Sequence, residues 1–208
     1  MKPKLIEMFV CVVVCSCGLK HVPSALLEKL PYEAKIELLE AENDLAVAVD
    51  RLDEARAEIV RAKEQLKRAK DRENDAEREV GAASDPTSKD VAKLAVAEAD
   101  TRVEWLRAKQ KLNLGEESIA EQNLQCAIAH YELARLKAAR KAKIEGSERL
   151  SEETFTNQAK ECDDKTAAQK VKQQQDVASA EKVRETWEAA RLALAQRTFD
   201  ARASSFVE

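Results

Sequence analysis

Cys126 and His130 stand four residues apart, and Cys162 and Asp163 follow later in the chain. On a helix, residues four apart share a face. A thiolate and an imidazole on one face are the ligand types that hold zinc, but a closed structural site takes four protein ligands. Cys162 or Asp163 would have to complete the set. No second close His or Cys pair lies near them in the chain, so the sequence predicts no metal and no other cofactor. Cys126 and His130 then read as a flank cysteine and a lone histidine near a helix seam. A bridge between Cys126 and Cys162 is the other chemistry open to the thiols. It requires Cα atoms within about 7 Å. The turn between their helices centres near residue 148, which leaves the two cysteines out of step, so two unpaired thiols are expected.

The remaining candidates are weaker. Glu152-Glu153 and Asp163-Asp164 are adjacent pairs. Neighbours on a helix point to different faces and do not form a general acid–base couple. Trp105 and Trp187 could stack on a ligand, but they recur at helical spacing and read as seam residues. The chain carries no glycine-rich phosphate loop, no nucleophile elbow and no zinc-protease helix motif. No catalytic residue is assigned, and an enzyme is not expected.

The elements that must position these residues are long helices. Leu38, Ala41, Leu45, Ala48, Leu52, Ala55, Ile59, Ala62, Leu66 and Ala69 step by three and four without a slip. Large and small apolar residues alternate among charged ones, which is a heptad repeat built to lie along another helix. Gly81 is placed to end this helix. Asp85 and Pro86 suit the N-cap and first position of the next. That helix carries Ala92, Val96, Ala99, Val103 and Leu106, then Ala120, Leu124, Ala127, Tyr131 and Ala134. Gln110, Asn113 and Glu117 interrupt its stripe, as register-setting polar residues do. Gly146-Ser147 opens a second turn. Ser151 can cap a third helix, with Leu150 and Phe155 as a staple. Its stripe runs Phe155, Ala159, Cys162, a polar stretch of Gln169, Gln173 and Asp176, then Ala180, Val183, Trp187, Ala190 and Leu194. The spans are about 31–81, 86–146 and 151–203. The expected fold is all-α, an elongated antiparallel three-helix coiled-coil bundle occupying residues 31–204. Turns centred near residues 84 and 148 set Leu66 near Thr101 and bring the two tryptophans to a similar height.

The chain begins with Lys2 and Lys4, then an apolar run from Met8 to Val14, then Cys15-Ser16-Cys17-Gly18. The run has signal-peptide length and is too short to span a bilayer as a helix. Val14-Cys15-Ser16-Cys17 resembles the lipobox of bacterial lipoproteins. The resemblance covers only these first residues. It implies a signal peptide over residues 1–16, cleavage after Ser16 and lipidation of Cys17, with acyl chains such as palmitate holding the protein on a membrane. Gly18 is not the aspartate that retains many such proteins at the inner membrane. The resemblance therefore implies a periplasm-facing position at the bacterial cell outer membrane. Residues 17–30 are expected to form the lipidated cysteine and its leash.

Composition agrees with long helices. The 208 residues are 36% charged and only 4% aromatic, which suits mutually packed helices better than a compact core. The 35 basic and 39 acidic residues are interspersed to a net charge of −4, so electrostatics gives no reason to expect nucleic acid. The expected partners are a membrane, through the anchor, and a protein or a second copy, through helical faces. The expected function is a non-enzymatic envelope spacer or scaffold. A helical-hairpin binding protein, acting on envelope clients as chaperones or efflux and secretion accessories do, is the alternative.

Overall fold

The computed structural model describes residues 18–199. Two short helices, α1 (Ser24–Leu27) and α2 (Tyr32–Ile36), precede three long ones: α3 (Leu39–Ala82), α4 (Pro86–Lys141) and α5 (Glu152–Thr198). A 3-10 turn at Ser147–Arg149 lies between α4 and α5, and there is no strand among the described residues. α4 has 56 residues, a length of about 84 Å at 1.5 Å per residue.

The α3 stripe is buried or half-buried at every position from Leu38 to Ala69. Its partner is α4. Ala69 packs with Val103 and Leu106, beside Leu66 and Trp105. Further along, the Asn113 amide donates to the Glu58 carbonyl oxygen at 3.2 Å, and the Tyr131 hydroxyl donates to Glu42 at 2.9 Å. Leu66 therefore meets α4 about one turn beyond Thr101, where the symmetric turn would have set it. Ala83 and Asp85 are both extended. The connection gains height there, and α4 overhangs the end of α3.

α4 carries two seams, and only one was visible as a stripe. The first faces α3 through Val103, Leu106 and Asn113. The second faces α5 through Glu98, Trp105, Cys126, Ala129, Leu133 and Leu136. At 3.6 residues per turn their centres lie about 180° apart around the helix. α3 and α5 accordingly each pack along α4 and form no seam with one another. Leu106, Leu136 and Val103 are the largest fully buried side chains, worth about 1.5–3 kcal/mol each on burial.

The connection after α4 explains the register of α5. α4 stops at Lys141, and Lys143 and Gly146 take left-handed conformations. The chain then doubles back, so that Arg140 donates to the Leu150 carbonyl oxygen at 2.6 Å and to Glu152 at 2.8 Å. α5 starts already alongside α4. Its centre of pairing moves several residues toward α4 from the expected residue 148.

The helix starts are capped as their residues dictate. Asp85 accepts from the Ser88 backbone N–H at 2.9 Å, with Pro86 in the first turn, and Ser151 accepts from Thr154. The Ser88 hydroxyl and N–H hold the Asp85 carboxyl below its ordinary value. A depressed value means the contribution is present above the unfolded pKa and is lost as pH falls through the folded one. Asp85→Asn, which retains a cap oxygen, is expected to flatten the fall in helical stability below about pH 4. Acid titration by circular dichroism checks this, and superimposable profiles would refute it.

Candidate functional site

The groups with chemical potential gather where α4, α5 and the N-terminal segment meet. Cys126 on α4 and Cys162 on α5 are joined in a disulfide with Cα atoms 5.3 Å apart. This overturns the expectation of two unpaired thiols. The reason is the doubled-back connection, which sets the two positions opposite each other. Both cysteines are buried. The Gln122 amide donates to Cys162 Sγ at 3.1 Å, and the Thr166 hydroxyl donates to the Cys162 carbonyl oxygen at 3.1 Å. Thr166 continues the α5 heptad between Cys162 and Gln169, a seam position its polarity hid.

The bond takes Cys126 and Cys162 away from metal ligation, since the thiolate is the ligand. His130 does not join them. Its Nε2 lies 3.0 Å from Asp163 Oδ2, with both side chains about half exposed, which is a surface pair of small energetic worth. Among the described residues, no group of three or more His, Cys, Asp or Glu is placed to hold a metal ion.

One turn beyond the disulfide, the chain expected to be a leash is packed. Val22 is 3% exposed and sits in a cluster with Ala129, Leu133, Leu136, Phe155 and Ala159, joined by Leu19, Leu26 and Leu27. Leu30, Ala34 and Leu38 continue onto Ala138 and Ala139. The polar counterpart is Glu132. Its buried carboxylate accepts the Val22 backbone N–H at 2.7 Å and is paired with Arg135, while His21 lies 3.4 Å away. The Lys20 N–H donates to Gln158 at 2.8 Å. A buried carboxylate with these partners fixes the segment in one register, because shifting it strips the carboxylate of its donors. The signal that could have found this is the spacing Leu19, Val22, Leu26, Leu27, Leu30, too short a run to be read as a long helix.

A second polar knot lies mid-helix. The Gln173 amide on α5 donates to the Leu112 carbonyl oxygen at 2.9 Å. It passes so close to Gly115 that a Cβ there would stand 2.1 Å from Gln173 Oε1. Glycine in a helix interior is worth about 1 kcal/mol less than alanine, and here it admits this side chain. Gly115→Ala is expected to be close to neutral in the wild type, because the propensity gain is offset by expulsion of Gln173. In a Gln173→Ala background it should stabilise by about 1 kcal/mol. A double-mutant cycle by denaturant unfolding measures the difference, and equal effects in the two backgrounds would refute the contact.

The two tryptophans, expected only at a similar height, meet. Trp105 and Trp187 stack with ring centroids 4.8 Å apart and planes 7° from parallel. The Trp187 indole N–H donates to Glu98 at 2.8 Å. Arg102, Arg191 and Lys109 flank the pair at 5.3–5.8 Å, within the range of cation–π attraction. The indoles fill the seam between α4 and α5.

Cys17 lies outside the described residues, as does the apolar run before it. No described helix is long and apolar enough to cross a membrane. No family model, no curated protein and no solved structure matches the chain.

Proposed function

We propose that this chain is a non-enzymatic, lipid-anchored spacer or scaffold of the bacterial cell envelope, facing the periplasm and held at the outer membrane through Cys17. In this reading α3, α4 and α5 are an antiparallel coiled coil with α4 in the middle, stiffened by apolar seams that polar contacts at Asn113 and Gln173 interrupt. The observation that carries the envelope assignment is the Cys126–Cys162 pairing. Structural disulfides persist in oxidising compartments and are rare in the cytosol. It supports the address independently of the lipobox-like residues. The test is peptide mass spectrometry of the full chain expressed in a bacterial host and recovered from the membrane fraction without reductant. A diacylglyceryl modification on Cys17, with a linked Cys126–Cys162 peptide, is the expected result. An intact Met1 with free thiols would sink it.

One observation favours the binding-protein alternative. Tyr32, Ile36 and Leu39 are 74%, 47% and 56% exposed around the α2–α3 junction, and exposed apolar residues grouped in this way serve as contact surfaces. The chain from Gly18 onward, mixed with a reduced and unfolded test protein, discriminates the two. Suppressed aggregation of the client favours binding, and no effect favours the spacer or scaffold.

A further inference from the structure

The anchor proposed for Cys17 has no leash, and this constrains how the helices meet the membrane. We propose that the lipidated protein lies lengthwise on the membrane surface, with the α4–α5 flank that bears Gly18 toward the lipid headgroups. The inference rests on the envelope reading above and selects a surface-lying scaffold over an upright spacer.

Gly18 sits in a cleft with Gln122 and Gln125 of α4 and Asn157, Gln158 and Glu161 of α5. The chain is held down directly after it, through the Lys20 bond to Gln158 and the Val22 bond to Glu132. Cys17 is one peptide unit from Gly18, about 3.8 Å between Cα atoms. Acyl chains on Cys17 therefore enter the bilayer within a few bonds of this flank.

The flank is far from both ends of α4. Gln125 is 16 positions from Lys141 in the sequence, about 24 Å of helix. Pro86 is 39 positions away in the other direction, about 58 Å. Standing upright on the connection between α4 and α5 would drive that end about 24 Å below the headgroup surface. The end carries exposed Lys137, Lys141, Lys143, Glu148 and Arg149, and placing charges in the hydrocarbon is unfavourable for every one of them. Standing on the other end would require more than twice that depth. A tangent orientation requires neither. A free leash of a dozen residues from Gly18 to Leu30 would have removed the constraint, but those residues pack against α4 and α5.

Neutron reflectometry of the full-length lipidated protein tests this, reconstituted on a supported bilayer of phosphatidylethanolamine and phosphatidylglycerol. The expected protein layer is no thicker than about three helix diameters, roughly 35 Å. A layer of about 80 Å, the full length of α4, on protein whose Cys17 is lipidated would overturn the orientation and leave the envelope reading intact. An unmodified Cys17, found by mass spectrometry of the same sample, would end both. A second variant addresses cause. Val22→Asp undocks the segment and supplies a leash, and circular dichroism confirms that the long helices persist. The layer is then expected to thicken at least 1.5-fold, and an unchanged layer would show that the docked segment does not set the orientation.

Discussion

Replacing Cys126 and Cys162 together with serine is expected to lower the unfolding free energy by about 4 kcal/mol. The two cysteines are 36 positions apart in the sequence. Closing a loop of that length removes chain entropy from the unfolded state worth about that much. The serine hydroxyls would stand beside Gln122 and Thr166, which already bond to this site, so the substitution adds no unpartnered buried group. Guanidinium unfolding of the variant and of reduced wild-type protein should give the same loss. A change below about 1 kcal/mol in both would mean that the helices hold α5 in register without the bond.

The second large effect is expected at Trp187. Trp187→Ala should destabilise by about 3–5 kcal/mol, the range for deleting a large buried ring. The ring is 7% exposed and stacked on Trp105. Its loss also strips Glu98, itself 7% exposed, of the indole donor at 2.8 Å. Arg72 of α3 lies close enough to respond to the same carboxylate. Burial lowers the pKa of its guanidinium, and the Glu98 charge opposes that shift. Glu98 is thus bonded across the α4–α5 seam and within electrostatic reach of α3. Trp187→Phe separates the two contributions, since it keeps an aromatic ring and removes the donor. Its expected cost is about 1–3 kcal/mol, the penalty for leaving a buried acceptor short of a partner. A Phe variant as stable as wild type would show that Glu98 does not depend on the indole.

The sequence was most informative where one apolar face recurs alone. α3 shows one stripe from Leu38 to Ala69, and the structure buries or half-buries all of it. The caps at Asp85 and Ser151 were readable because a short oxygen-bearing side chain before a helix has one common use. α4 was read by half. Its seam toward α5 includes Glu98, Gln122 and Cys126, and two seams on nearly opposite sides cancel the one-sided pattern that marks an amphipathic helix. The disulfide was missed for a related reason. Sequence places the glycine of a turn, but it does not say how much of the connection is spent doubling back, and register depends on that. The docking of Val22 was hidden because its partner is Glu132, a charged residue whose burial only the three-dimensional arrangement reveals.

Small-angle X-ray scattering of the chain from Gly18 onward decides whether long helices packed lengthwise, rather than a rounded core, make up this protein. A particle with helices of about 84 Å is expected to have a radius of gyration of about 25 Å. A value near 17 Å, that of a compact domain with this number of residues, would contradict it.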